Sequence, residues 1–393
     1  MSTVSTQNWK EVKIKDAARV VTGKTPPTAR REFFGNEFPF ITPTDIEDTR
    51  MFCTAERKLS GKGRDYQSAL LLPLKSICFT SIASVGKICI TDEPSFTNQQ
   101  INSLIAKDEV ADYRFLFYAL KYYTPALKRI AGGTMTSIIN KTQFENFTFS
   151  LPTLPEQKSI ADVLFTLDNK IELLREQNKT LEATAQAIFK ESFVKPSQNK
   201  KLPNGWRIGK LADEFEILMG QSPEGESYNE SGEGTVFFQG RTDFGFRFPS
   251  TRLYTTNPKR MAEKFDVLVS VRAPVGDINM ASDTCCIGRG VAAVKSKFKS
   301  YAYYKIKTLK RNFENFESSG TIFGSMNKDD FNGIEVSIPD KDSVIKFDNL
   351  AKPFDEKIYN NSVQLETLSK LRDVILPKLI RGEVRIENFS NKR

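Results

Sequence analysis

The chain has 393 residues, 39% of them hydrophobic, which is enough to bury more than one core and points to two or more domains. Its 57 Lys and Arg against 48 Asp and Glu give a net charge of +9, which favours a polyanionic partner; dispersal of the basic residues among acids argues against a polybasic arm, so any such contact must come from folded surfaces. Histidine is absent and the five cysteines show no C-x-x-C spacing, which removes the usual zinc sites and most thiol-imidazole catalysis, and neither an apolar run of about 18 residues nor an apolar signal core in MSTVSTQNWK is present, so a cytoplasmic protein is expected.

Read from its start, the chain passes through strand-like sequence punctuated by Gly and Pro, including WKEVKIKDAARVVTGKTPP and FPFITPTDI. Cys78 and Cys89 lie in the apolar runs SICFTSI and GKICI and read as buried core. A helical pattern begins at LPTLPEQKSI, with Pro155 and Glu156 suited to a first helical turn. Ile160, Leu164, Leu167, Ile171, Leu174, Asn178, Leu181, Ala185 and Ile188 then recur at alternating steps of four and three, a heptad seam that needs an apolar partner.

From Trp206 the pattern starts again. WRIGKLADEFEILMGQSPE answers the opening at an offset of 197 residues, matching Trp9 with Trp206, Asp16 with Asp213, Gly23 with Gly220 and Pro26 with Pro223. SIASVGK answers VRAPVGD and FTNQQINSL answers CIGRGVAAV at an offset of 190 (Gly86 to Gly276). GGTMTSIINKTQFENFTFSLP answers SGTIFGSMNKDDFNGIEVSIP at 187, matching Gly133 with Gly320, Thr134 with Thr321, Asn140 with Asn327 and Phe144 with Phe331. Shrinking offsets place the deletions between anchors, where surface loops vary. The first seam, carried forward by 187, becomes Phe347, Ala351, Phe354, Ile358, Asn361, Leu365, Leu368, Arg372 and Ile375.

The expected architecture is α/β (α+β): two similar mixed-sheet domains, 1–152 and 197–339, separated by two long antiparallel helices, 153–196 and 340–393 with its tail, that form a coiled coil with pseudo-two-fold symmetry. A helix of about 40 residues is a rod of roughly 60 Å. Pro377 is expected to kink or end the second one. Facing Asn178 with Asn361 sets a register that pairs Ile160 with Leu379, Leu164 with Ile375, Ile171 with Leu368, Leu174 with Leu365, Leu181 with Ile358 and Ala185 with Phe354. Two facing amides can satisfy each other, whereas Arg372 opposite Leu167 must reach solvent or a carboxylate.

No enzyme motif fits. Thr22-Gly23-Lys24-Thr25 would need glycine where Ala18 stands to make a phosphate loop, and Gln221 replaces Lys24 in the second copy. Asn257-Pro258 runs into Lys259 and Arg260 rather than an aromatic methylation motif, and Pro339-Asp340-Lys341-Asp342 lacks the further carboxylate and lysine of a metal-dependent nuclease.

LPTLPEQKSIADVLFTLDNKIELLREQNKTLEATAQAIFKESFV closely resembles the first conserved region of type I restriction-modification specificity subunits, in Pro155-Glu156-Gln157, Ile160-Ala161, Leu164, Leu167-Asp168, Ile171 and Leu181-Glu182. The Trp9 to Pro27 and Trp206 to Pro223 openings, with Val85-Gly86 and Val275-Gly276, resemble parts of that family's target-recognition domains, so the likeness covers nearly the whole chain. IPDKDSVIKF departs from it by losing the Pro-Glu-Gln trio. The resemblance implies a non-catalytic reader of double-stranded DNA that holds two modification subunits and the restriction subunits, with S-adenosylmethionine, ATP and Mg on those partners and no membrane association. The rival reading is a coiled-coil scaffold without a DNA role. Candidate DNA-binding residues are polar loop positions in corresponding places: Lys24, Thr25, Arg30, Arg31, Thr44, Asp45, Lys87, Asn98, Gln99 and Gln100 in the first copy, and Gln221, Ser222, Arg241, Thr242, Asp243, Arg247, Arg272 and Arg289 in the second. Gly23, Gly220, Gly86 and Gly276 are expected to serve backbone turns.

Overall fold

The computed structural model of the chain describes residues 9–132, 137–199, 201–314, 316 and 324–386. The repeat anchors Gly133, Thr134, Gly320 and Thr321 lie outside the described residues. The chain divides into two compact units, one running to Leu173 and resuming at Glu366, the other comprising Leu174–Leu365.

In the first unit the strands are β1 (Lys10–Lys13), β2 (Ala18–Thr22), β3 (Phe34–Gly35), β4 (Phe38–Ile41), β5 (Lys58–Leu59), β6 (Ile77–Thr80), β7 (Ile88–Ile90), β8 (Phe96–Thr97), β9 (Ile101–Ala106) and β10 (Thr148–Leu151). An antiparallel sheet has the order β2-β9-β6-β7, a second sheet β3-β5-β4-β8 has β4 and β8 parallel, and β1 pairs with β10. Strand β6, ICFT, is buried at every position, so its unbroken apolar run reads as a central strand covered on both faces. One cover is helix α1 (Tyr113–Ile130), which starts where the Asp112 carboxylate accepts the backbone N–H groups of Arg114 and Phe115. Cys78 and Cys89 are buried, and burial pushes the Cys89 thiol up.

The second unit repeats the plan with β11 (Arg207–Lys210), β12 (Glu216–Met219), β13 (Tyr228–Asn229), β14 (Thr235–Phe238), β15 (Leu253–Thr255), β16 (Met261–Ala262), β17 (Val267–Ser270), β18 (Ile278–Met280), β19 (Cys285–Ile287), β20 (Val291–Lys295) and β21 (Glu335–Ile338). The sheet orders are β12-β20-β17-β18 and β13-β15-β14-β19-β16, with β11 on β21; the edge strand β16 answers a single antiparallel bridge of the first unit, Leu72 to Ser95, as Ala262 pairs with Cys285. Cys285 and Cys286 are buried in β19, and burial pushes the Cys285 thiol up to about 12.

Two long helices follow the domains, α2 (Leu154–Phe189) and α4 (Lys341–Ile380), with α3 (Lys299–Thr308) between them in sequence. In the first unit Ile160, Ala161 and Leu164 of α2 share a core with Leu376, Leu379 and Ile380 of α4. In the second, Ala185 and Phe189 of α2 share a core with Phe347 and Ala351 of α4, and Asn361 Nδ2 donates to Asn178 Oδ1 at 2.8 Å and to Gln177 Oε1 at 2.8 Å. Partners that rise in number along α2 fall along α4, so the helical segments within that unit run antiparallel.

Two expectations about the helices need correction. Pro377 neither ends nor interrupts α4, which continues to Ile380; it stops at Gly382 (φ +67°), where Gly382 N–H donates to Leu379 O and Glu383 N–H to Lys378 O. Only one amide donor is lost at the proline, and the stop is set by the left-handed glycine. At five places the buried face also steps one residue past the expected seam, to Asp168, Glu182, Phe189, Asp355 and Leu376, while Leu167, Leu181, Ile188, Phe354 and Ile375 are half-buried. The three acids are drawn in by arginines described below.

Candidate nucleic-acid interface

Glycines position the loops in both units. At Gly23 a Cβ would lie 2.2 Å from Thr97 O, and at Gly220 2.2 Å from Gly288 O, so the chain leaving β2 or β12 runs directly against the turn that follows β8 or β19. The backbone bonds match: Lys24 N–H donates to Thr97 O at 3.0 Å and Gln221 N–H to Ile287 O at 3.0 Å. The end of β4 joins through Asn98 N–H to Ile41 O at 3.2 Å, and the end of β14 through Gly288 N–H to Phe238 O at 2.9 Å. The hairpins β6-β7 and β17-β18 turn at Gly86 and Gly276, both with positive φ. They tie in through Ser81 N–H to Gln100 O at 2.7 Å and Val271 N–H to Gly290 O at 3.0 Å. Four loops thus meet at one edge of each domain, and they carry most of the residues singled out from sequence.

In the first domain those residues divide by partner. Asp45 accepts from Thr42 N–H at 2.7 Å, Thr42 Oγ1 at 2.7 Å and Glu56 N–H at 3.0 Å, so it staples its own loop. Asn98 is buried, donating to Gln100 Oε1 and accepting from Gln100 N–H. Lys87 Nζ donates to Pro43 O at 3.1 Å. Lys24, Arg30, Arg31, Thr44 and Gln99 remain exposed. Lys24 lies 5.8 Å from the Tyr66 ring and Arg30 5.5 Å from Phe33, whose ring stacks on Tyr66. Thr25 Oγ1 donates to Gln99 Oε1 at 2.8 Å.

In the second domain a cleft of about 330 Å³ gathers Arg241, Thr242, Asp243, Arg252, Arg272 and Arg289. Arg241 pairs with Asp277, and Arg252 Nε donates to the buried Asp243 at 3.1 Å. Arg272 and Arg289 are exposed and have no carboxylate partner among the described residues. Ser222 Oγ accepts from Arg289 N–H at 3.2 Å, and Gln221 is exposed.

Arg247 is not in this edge. Its side chain is 0% exposed; Nε donates to Glu182 at 3.2 Å, Nη1 to Asp355 at 3.0 Å and Nη2 to Tyr304 Oη at 2.8 Å, with Tyr303 stacked 3.7 Å from the guanidinium. Burial disfavours its charge, but Tyr303, Asp355 and Tyr304 more than compensate and keep it protonated. It is a packing residue that seats its domain on α2 and α4, and its assignment to DNA reading is corrected accordingly. In the first unit the counterpart is Arg372, whose Nη1 donates to Asp168 at 2.8 Å while Tyr118 Oη donates to the other oxygen at 2.8 Å. The repeat aligns Asp168 with Asp355 and Arg372 with Ala185, so the arginine that α2 lacks is supplied by the loop.

The Pro-Glu-Gln trio also acts inside its own unit. Gln157 is buried, donates to Val110 O and Pro152 O, and accepts from Asp112 N–H at 2.9 Å. Trp9 Nε1 donates to Glu156 at 3.2 Å and Trp206 Nε1 to Asp340 at 3.2 Å, so each domain's opening tryptophan fastens to the start of its following helix. Among the described residues no helix is long and apolar enough to cross a membrane.

The chain matches the family described as type I restriction modification DNA specificity domain twice, over residues 6–183 and 203–362. It is similar to the putative type I restriction enzyme MjaX specificity subunit of Methanocaldococcus jannaschii, 29% identical over 97% of this chain and 95% of that protein. It is also similar to the type I restriction enzyme HindI specificity subunit of Haemophilus influenzae, 36% identical over 42% of this chain and 38% of that protein. The crystal structure of a type I restriction-modification system S subunit from M. genitalium shares the fold, with a TM-score of 0.67 at 17% identity over 96% of this chain and 99% of that one.

Proposed function

The chain belongs to the type I restriction modification DNA specificity family, and from that premise we propose that it reads a bipartite duplex target, one domain per half-site, without catalysing a reaction itself. Modification subunits dock on its helices, and restriction subunits join the complex in the cytoplasm. S-adenosylmethionine, ATP and Mg are held by those partners. The domains are taken as 1–152 and 197–339, with α2 and α4 as a coiled-coil spacer. Half-sites separated by roughly one helical turn, ~10 base pairs, suit such a spacer.

One observation carries the reading. The two domains share strand order and the backbone bonds that join four loops, yet the loops differ in chemistry, with Lys24 against Gln221, Lys87 against Asp277 and Gln99 against Arg289. A repeated scaffold with divergent polar loops suits two different sequences, because base edges are discriminated by donor and acceptor pattern. A scaffold acting through its helices alone would leave that divergence without a purpose. Replacing residues 1–150 with the first domain of another family member should change one half of the methylated motif, read by sequencing methylated adenines. A change in both halves would defeat the modular reading.

A further inference from the structure

Residues 99 and 289 occupy the same place in the two domains. Each is the middle residue of a three-residue turn, Asn98-Gln99-Gln100 between β8 and β9 and Gly288-Arg289-Gly290 between β19 and β20. The turns close alike, Ile101 N–H donating to Asn98 O at 3.2 Å and Val291 N–H to Gly288 O at 2.9 Å. Both middle side chains are exposed at the edge where the four loops meet.

Their surroundings fix what each can offer. A Cβ on Gly288 would stand 2.9 Å from Gln239 Cα, and one on Gly290 2.7 Å from Gln239 O, so the turn is wedged against the end of β14 and Arg289 extends from a closely packed backbone. Of the four arginines around the cleft, Asp277 and Asp243 neutralise Arg241 and Arg252, leaving the forks of Arg289 and Arg272 without a carboxylate among the described residues. In the first domain Thr25 orients the Gln99 amide through Oε1, which keeps a lone pair and two N–H groups available. Asn98 and Gln100 bond to one another and are spent within the turn.

We propose that Gln99 and Arg289 are the specificity-determining side chains at corresponding base pairs of the two half-sites, Gln99 taking the N6/N7 edge of adenine and Arg289 the O6/N7 edge of guanine. Each pairing is bidentate and geometrically matched, and each discriminates against the wrong base on the order of tenfold to a hundredfold. The target is therefore asymmetric at this position, with the guanine in the half-site read by the second domain. The inference rests on the DNA-reading function proposed above.

Reciprocal substitutions test it. The full chain, co-expressed with its modification subunit, is compared with Arg289→Gln and Gln99→Arg by sequencing methylated adenines; thermal melting checks that each variant folds. Arg289→Gln should relax one guanine toward adenine in one half-site and leave the other half unchanged. Gln99→Arg should shift one adenine toward guanine in the opposite half. An unchanged motif with methylation reduced at every site would mark residue 289 as a phosphate contact and overturn the proposal. Changes in the same half for both variants would overturn it too. Where a variant abolishes methylation, competition among duplexes differing at single base pairs decides by the same criteria. An unsubstituted chain that yields no bipartite motif defeats the underlying function, an outcome distinct from these.

Discussion

Arg247→Met removes the buried cation at little cost in volume. Methionine is the first domain's own solution there: Ile90 N–H donates to Met51 O at 2.8 Å as Met280 N–H donates to Arg247 O at 2.8 Å. The substitution removes the guanidinium's bond to Met280 Sδ and strips hydrogen bonds from the Glu182 and Asp355 carboxylates, 7% and 5% exposed, and from the buried Tyr304 Oη. Breaking a buried ion pair from one side costs about 3–5 kcal/mol. Lys307 still faces Glu182 and Tyr304 still donates to Asp355, which places the cost toward the lower end. At roughly 2–4 °C per kcal/mol for a domain of this size, the second unit's melting transition should fall by about 10 °C in calorimetry. Adding Ala185→Arg, which rebuilds on α2 the arginine that Arg372 provides on α4, should recover a substantial part of the loss. A variant that melts within about a degree of the parent yet loses duplex affinity would refute this account and return Arg247 to the DNA.

Asn178→Leu and Asn361→Leu should each destabilise by about 1–3 kcal/mol by stranding a buried amide, and the double substitution should regain or exceed the original stability. Asn361→Leu should be the costlier single change, because Gln177 still receives the Asn361 amide when Asn178 is lost; additive effects in chemical denaturation would reject the coupling. Burial raises the Asp112 carboxyl, but the Arg114 side chain and the backbone N–H groups of Arg114 and Phe115 together hold it below the usual carboxylate range. Its contribution is therefore present above the unfolded pKa of ~3.9 and is lost as pH falls through the lower folded value. Asp112→Asn should flatten the acid limb of stability against pH, and an unaltered limb would contradict the assignment.

The repeat was legible because its anchors are residues with few substitutes. Gly23 and Gly220 sit where any side chain would strike a carbonyl, and Trp9 and Trp206 each fasten to an acid at the following helix. The Asn178 and Asn361 positions emerge from heptad spacing, since a polar residue in an apolar seam marks itself. The Asp168 partner of Arg372 was legible only as a need for some carboxylate. Arg247 was misread because a loop arginine looks the same whether it faces solvent or a buried acid. The available signal was indirect, an alanine at 185 where the other helix carries Arg372 beside an aspartate common to both copies. Asp45, Asn98 and Asp243 fell among the candidates for a similar reason. Spacing locates a polar loop residue, and only the fold shows whether its hydrogen bonds are spent within the loop.

The division of the chain has a bearing on its synthesis. The second unit is one continuous segment, Leu174–Leu365, and all of its core precedes the last part of the chain. The first unit's core includes Leu376, Leu379 and Ile380, so the earlier domain waits on residues translated after the whole of the later one's core. On a ribosome adding roughly 5–20 residues per second, the amino-terminal domain spends seconds with the apolar stripe of Ile160 and Leu164 uncovered while its carboxy-terminal twin is already complete. The nascent chain therefore closes its later copy before its earlier one, and a stop codon just ahead of Leu376 would cripple the domain farthest from it in sequence.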